Sequence, residues 1–329
     1  MTLGIAGTAK NTGKTTTMSA IMEEIRKDSA ITLGITSIGY DGEGFDNITG
    51  LPKPRINVWP GIILAIAMNC IKFCTAGIEI IKKTDIQTPL GKLMICRIIK
   101  PGKVLLAGAN KGFELRIILD LISEYSNMII VDGALNRIAP MTELDFLILV
   151  TGAARYTDIN RLADESACFP LIFSRPVLKE TGRVDTVDSV LNDESFLNFM
   201  EKCNSSDTLI IKGVIAEKYL KRFLDLKPGG KRLIFNDPVK LLLSGDPLGM
   251  KGILSNCSTV EIGVAKQLKL IAMTVNPYYP EYRNNNYFEA FIDAEILLKT
   301  VSSYVNIPCF DVVKQGAGEI YDILKSFQE

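Results

Sequence analysis

The feature that most limits how this chain can fold is a short apolar run, Leu3–Ala6, leading into Gly7-Thr8-Ala9-Lys10-Asn11-Thr12-Gly13-Lys14-Thr15-Thr16. The segment that follows, Lys14–Lys27, places Met18, Ile21, Met22 and Ile25 at the three- and four-residue spacing of one helix face. A glycine-bearing loop between a strand and a helix turns its backbone N–H groups, and the positive end of the helix, toward an anion. In such a loop Lys14 reaches the β- and γ-phosphates of a nucleotide, and the Thr15 hydroxyl holds a magnesium ion. Lys10, Asn11, Thr12, Gly13, Lys14, Thr15 and Thr16 are therefore the candidate nucleotide-binding residues. The strict pattern, G-x-x-x-x-G-K-[ST], has glycine where this chain has Thr8, and Gly7 stands one place early. An ordinary polar turn before a helix needs neither Gly13-Lys14 nor the successive threonines from Thr15 to Thr17.

Composition narrows the chemistry. The 329 residues suffice for two domains, each with its own core. The 37 basic and 37 acidic residues cancel, so neither nucleic acid nor an anionic membrane is an expected partner. The opening residues do not read as a secretory signal, and the expected location is cytoplasmic. There is no histidine, which removes serine–histidine and cysteine–histidine hydrolysis and histidine-ligated zinc. Proton chemistry is left to carboxylates, lysine, water or the nucleotide. The seven cysteines are scattered and odd in number, against a disulfide framework. Cys70 and Cys74 share a helix face at best, a poor metal site without further ligands, and read as small buried thiols. The most apolar stretch, Gly61–Cys74, reads as a buried helix, too short to span a bilayer.

Strand and helix patterns alternate through the N-terminal half. Ile31–Ile38 is expected as a strand; Ile78–Thr84 and Leu93–Ile99 as a hairpin about Pro89 and Gly91; Phe113–Tyr125 as a helix; Asn127–Asp132 and Phe146–Val150 as buried strands. This order implies an α/β fold with a mostly parallel sheet flanked by helices. The expected division is a nucleotide-binding domain over 1–155, a connecting region over 156–205, and an α/β portion over 206–329. That last portion is either a separate domain or an extension of the same sheet. Within it Leu268–Val275 reads as a strand, Asn276–Asn286 as a loop, Phe288–Tyr304 as a helix and Cys309–Val313 as a strand.

Three further positions carry chemistry. Met128-Ile129-Ile130-Val131-Asp132-Gly133 is an apolar strand ending in a carboxylate, the form of a Walker B element, which makes Asp132 the second candidate magnesium ligand. Asp41 and Glu43, in Gly39-Tyr40-Asp41-Gly42-Glu43, are candidates to orient an attacking water, with an Asp-Gly surface turn as the alternative. Asn276, before Pro277, is a candidate adenine contact or the start of a proline-bracketed turn. Lys14 and Asp41 are the candidate catalytic pair, with ATP and Mg2+ as the expected cofactors. Pro52-Lys53-Pro54-Arg55 suits a phosphate or partner contact, or a stiff linker.

Gly7-Thr8 followed by Gly13-Lys14-Thr15 resembles the loop of dethiobiotin synthetase and of the cobyrinic acid amidating enzymes. The resemblance implies an α/β P-loop NTPase fold, of the class that includes the signal-recognition and septum-placement NTPases. Many members of that class use a second lysine across a dimer; Lys10 stands in the corresponding loop, but four residues before Lys14 instead of five, and a solvated lysine is the alternative. A wider set of motifs occurs in order: Thr36-Ser37-Ile38-Gly39, Asp41-Gly42-Glu43, Gly50-Leu51-Pro52-Lys53-Pro54-Arg55, Val131-Asp132-Gly133-Ala134 and Val275-Asn276-Pro277-Tyr278. In that order they resemble the smaller, nucleotide-binding subunit of the reactivating factors for lysine 5,6-aminomutase and ornithine 4,5-aminomutase. The resemblance implies a MutS-like ATPase subunit as partner and a cobalamin-dependent aminomutase as client. Nucleotide turnover would then help to exchange inactivated cobalamin. Two other functions stay open on the residues: a ligase acting on a small carboxylic acid, and a regulatory subunit that binds nucleotide with little turnover.

Overall fold

In the computed structural model, which describes residues 1–39, 56–255 and 257–327, the chain forms two compact units, each an α/β layer of its own. The first comprises Met1–Leu162, Ile271–Ser303 and Ile307–Glu329; the second comprises Ala163–Leu270 and Tyr304–Asn306. Asp41, Glu43 and the Gly50–Arg55 motif lie outside the described residues.

The chain begins with β1 (Thr2–Gly7), α1 (Lys14–Arg26), β2 (Leu33–Ser37), β3 (Ile56–Val58), β4 (Ile63–Ala67) and α2 (Met68–Ile71). A hairpin of β5 (Gly77–Thr88) and β6 (Gly91–Lys100) leads through β7 (Gly102–Val104) and α3 (Gly112–Ser123) to β8 (Met128–Ala134) and β9 (Phe146–Gly152). Then come α4 (Ile159–Ser166), α5 (Cys168–Phe173), β10 (Val184–Val187), α6 (Asp193–Ser205), β11 (Thr208–Ile211) and α7 (Glu217–Asp225). They are followed by β12 (Lys231–Phe235), α8 (Pro238–Leu242), α9 (Pro247–Ser255) and β13 (Val260–Val264). The chain closes with β14 (Lys269–Asn276), a hairpin of β15 (Tyr278–Arg283) and β16 (Asn286–Phe291), α10 (Ala294–Tyr304), β17 (Cys309–Phe310), α11 (Val312–Gln315) and α12 (Gly318–Lys325).

The first unit is built on a nine-stranded sheet of order β17-β14-β9-β1-β8-β2-β4-β6-β5. Strands β9, β1, β8, β2 and β4 run parallel, and the β5–β6 hairpin adds an antiparallel edge. Interior strands covered on both faces read as continuous apolar runs, and Leu3 and Ile5 of β1 are fully buried. Met18, Ile21, Met22 and Ile25 form the buried stripe of α1, which packs on β1 and β8 and against α11 and α12. At roughly 1.5–3 kcal/mol for each large apolar side chain removed from water, this stripe outweighs the weak helix propensity of three threonines in the first turns.

The Gly61–Cys74 stretch departs from its expected helix. Ile63–Ala67 is strand β4, buried at all five positions, and only Met68–Ile71 is helical. A short apolar run fits a two-side-covered strand as well as a buried helix; here the isoleucines are inserted between β2 and β6. The expected helix from Phe288 also starts later, at Ala294, because Asn286–Phe291 pairs back on Tyr278–Arg283. The turn of this hairpin is Asn284-Asn285, both left-handed (φ 50 and 58), the backbone a two-residue turn needs.

The second unit carries a four-stranded parallel sheet in sequential order, β10-β11-β12-β13. Its core is aromatic: Phe199 meets Phe223 edge-on, their centroids 4.9 Å apart, and Phe235 is fully buried. The expected connecting region thus holds regular structure, including β10 and α6. After β13 the chain returns to the first unit, where β14 and β17 join the large sheet as parallel neighbours. Among the described residues no helix is long and apolar enough to cross a membrane.

Candidate functional site

The loop from Gly7 to Lys14 leaves the C-terminal end of β1, and its anchors explain its composition. Thr8 N donates to the Val150 carbonyl at 2.9 Å, and the Thr8 hydroxyl donates to Thr151 Oγ1 at 2.9 Å in a buried contact. The residue standing in the glycine slot of the strict pattern therefore ties the loop to the end of β9. The Thr12 hydroxyl donates to the Ala9 carbonyl at 3.0 Å, closing the loop on itself. Asn11 (φ 62) and Gly13 (φ 93) are both left-handed, which turns successive amides into a concave surface suited to an anion.

Helix α1 then opens with Thr17 N donating to the Gly13 carbonyl at 2.9 Å. Its first turn has no acidic residue and no side-chain cap, so the partial positive charge of the N-terminus is not offset by a neighbouring group of the helix itself. A buried contact of 2.9 Å between Thr17 Oγ1 and Thr274 Oγ1 fixes α1 to β14.

Lys14 and Asp132 meet. Lys14 Nζ lies 3.2 Å from Asp132 Oδ1, with each side chain only 13% exposed. The parallel register sets Asp132 beside Ile5 on β1 and Ser37 on β2, so the carboxylate stands at the same strand edge from which the loop departs. The Ile38 amide donates to the Asp132 carbonyl at 2.7 Å, holding the exit of β2 against β8.

The other predicted residues distribute around this pair. Lys10 and Thr16 are exposed, whereas Thr12 is buried. Thr15 and Thr16 line an open groove of 480 Å³ along α1, together with Ser19, Glu23, Asn57 and Val313. Asn276 arrives at the loop from a distant part of the chain: its Nδ2 donates to the Asn11 carbonyl at 3.4 Å, across 265 positions of sequence.

Two side chains at this edge escaped the sequence reading. A Cβ built on Gly39 (φ 70) would lie 2.6 Å from Asn110 Oδ1 and 2.8 Å from Arg137 Nη1, so both side chains close on the exit of β2. Arg137 follows Asp132 within the turn that leaves β8, and that proximity to a Walker B-like strand is the one signal a sequence offers. Asn110 has no local signal; Gly39 and the 108–109 backbone bring it in through the Gly39 N to Ala109 O and Gly108 N to Gly39 O bonds, both 3.0 Å.

Among the described residues no group of three or more His, Cys, Asp or Glu side chains is placed to hold a metal. Magnesium characteristically takes only one or two protein ligands and fills its remaining positions with phosphate oxygens and water, and Thr15 and Asp132 are of the right chemistry for that sparse set. Burial pushes the Cys70 thiol up to about 11 and those of Cys96 and Cys168 up to about 12, away from the reactive thiolate form. No protein-family model matches the chain, and no curated protein matches it.

Proposed function

We propose that the chain binds ATP with Mg2+ at the first β-to-α crossing and hydrolyses it as a two-state switch. The observation that carries this reading is the Lys14–Asp132 contact of 3.2 Å at the C-terminal edge of the parallel strands. A loop lysine and a strand-end carboxylate that meet beside the left-handed residues of the loop form a set of groups that fits phosphate oxygens and a hard cation. Bound magnesium would supply neutralisation of phosphate charge. Lys14 would exchange its carboxylate partner for phosphate oxygens, and Asp132 and the Thr15 hydroxyl are the residues that would hold the ion. Positioning and charge stabilisation carry the rate, without a histidine base.

The ordered motifs support a narrower reading, in which this switch is the nucleotide-binding subunit of a reactivating factor. Its partner is a MutS-like ATPase subunit and its client an aminomutase carrying adenosylcobalamin and pyridoxal phosphate. The two nucleotide states hold the partner differently, and the difference is used to release damaged cobalamin. Since the chain has no histidine, any imidazole ligation of cobalt belongs to the client.

Titration calorimetry of the wild-type chain and Lys14→Ala with MgATP tests the first claim. The variant is expected to lose at least about a hundredfold in affinity, close to 3 kcal/mol; equal affinity would remove the loop from the mechanism. The ATPase rate, measured alone and with a MutS-like subunit and its aminomutase, tests the second. Stimulation by the protein partners is expected, while stimulation by a small carboxylic acid alone would replace the switch with a ligase.

A further inference from the structure

Asn276 stands where a base contact was expected, yet its side chain is engaged on both sides by backbone of the chain itself. The carboxamide nitrogen donates to the Asn11 carbonyl at 3.4 Å, and its oxygen accepts from the Tyr278 amide at 3.2 Å. A carbonyl needs a donor and an amide needs an acceptor, so the two partners together fix which end of the carboxamide points where. The side chain also forms the wall behind Gly13: a Cβ at that left-handed position would lie 2.9 Å from Asn276 Nδ2. Both left-handed residues of the loop, Asn11 (φ 62) and Gly13 (φ 93), thus rest on one side chain.

The backbone that carries this side chain is itself held. The Asn276 backbone carbonyl accepts from the Ala153 amide at 2.9 Å, just beyond β9, and a Cβ on Gly152 would collide with the same oxygen. Two residues before it, Thr274 is fastened to α1 through Thr17 at 2.9 Å. Beside the Thr8 and Thr12 anchors, the loop's conformation is therefore also set by the end of β14.

We propose that Asn276 is a positioning residue of the phosphate loop: it holds Asn11 and Gly13 in the left-handed geometry that aims the loop amides at phosphate, and it does not read the base. This rests on the reading of the loop as a triphosphate cradle. Without the brace, Asn11 is freer to leave the left-handed region, which asparagine tolerates better than other side chains but which still carries a backbone cost. The amides then splay, and every ligand that uses them loses affinity by the same factor, whatever base it carries.

The experiment is calorimetric titration of the full chain, wild type, Asn276→Ala and Asn276→Asp, with MgATP and with magnesium tripolyphosphate, which has no base. Asn276→Asp keeps the acceptor for Tyr278 and removes the donor for Asn11 with little change of shape. Both variants are expected to lose about tenfold for both ligands, the size of one well-placed hydrogen bond, with their melting midpoints retained. A loss confined to MgATP makes Asn276 a base contact and overturns the proposal. Lower melting midpoints with full affinity for tripolyphosphate make it merely structural, and overturn it equally. A wild-type chain that takes up neither ligand brings down the phosphate-loop reading itself, a result distinct from the others. If Asn276→Ala does not fold, Asn276→Leu, of similar size and without the negative charge that Asn276→Asp brings near the phosphates, takes its place.

Discussion

The two units are both α/β layers with parallel strands, but they treat their strand edges differently. In the four-stranded sheet the order is sequential, β10-β11-β12-β13, so α6, α7 and the α8–α9 pair carry the chain one strand onward each time in the same direction. In the nine-stranded sheet β1 leads through α1 toward β2 on one side, whereas β8, its immediate neighbour, leads to β9 on the other. Adjacent connections that depart in opposite directions leave a crevice above the strand ends, and that is where ligands of open α/β sheets bind. Lys14 follows β1 and Asp132 lies on β8, so the pair sits at this divergence. The described strands of the second sheet, sequential in order, show no such divergence.

A carboxylate with little exposure in each unit makes the contrast concrete. Asp132 faces a lysine from a loop. Asp237, beyond β12, turns back on its own chain: its Oδ1 accepts from the Lys240 amide at 2.9 Å and caps α8. Burial raises the Asp237 carboxyl above its usual range, opposed by that hydrogen bond and by Lys240. A raised carboxyl is a usual mark of a functional site, yet here it has a complete structural explanation. Connectivity, more than the presence of a buried acid, separates the site from the cap.

Substitution at the two acids is the sharpest way to break the contrast. Asp132→Ala is expected to abolish the gain in ATP affinity that magnesium confers, an effect of about tenfold or more. Titration with ATP in magnesium and in chelator measures it. A variant that still needs magnesium would reduce Asp132 to a structural partner of Lys14. Asp237→Ala is expected to leave nucleotide affinity unchanged and to cost about 1 kcal/mol of stability, the usual value of a lost helix cap. Denaturant unfolding gives that figure, and a change in ATP affinity instead would undo the distinction between the acids.

Much of the first site was legible because its parts are local. The Lys14 loop, the helix stripe from Met18 to Ile25 and the run ending at Asp132 each declare themselves within a few residues. The meeting of Lys14 with Asp132 follows from the pairing of β1 with β8; alternation of strands with helices implies a parallel sheet but not which strands are neighbours. What stayed hidden is non-local or degenerate. The Gly61–Cys74 run satisfies two periodicities at once, and only its place between β2 and β6 selects the strand. The Asn284-Asn285 turn lacks the glycine that usually signals a two-residue hairpin. Asn276 was legible as a residue at a strand end, but its contacts with Asn11 and Gly13 depend on the chain returning to the first sheet after β13.

Acid offers the gentlest comparison, because one carboxyl in each unit is shifted in the opposite sense. In the first unit Asp28 Oδ2 accepts from the Tyr321 hydroxyl at 2.7 Å and pairs with Lys325 at 3.1 Å, fastening α12 to the exit of α1. The Tyr321 hydrogen bond, then the Ala30 amide and Lys325, lower this carboxyl from the usual 3.8 to about 2. A carboxyl lowered by folding contributes stability that is present above its unfolded value and is lost as the pH falls through its folded one. The α12 attachment is therefore expected to hold at pH 5 and to weaken between about 4 and 2. Asp237, raised by burial, has the reverse sign: its contribution is fully present in acid, below its unfolded value, and is lost as the pH rises through the folded one. Hydrogen exchange compared at pH 5 and pH 2.5, after correction for the intrinsic rate, separates the two. Protection in Gly318–Lys325 is expected to fall relative to that in Pro238–Leu242, and the same ordering should shrink in Asp28→Asn. Parallel loss in both helices would mean that general charge repulsion, not these two carboxyls, governs the acid response.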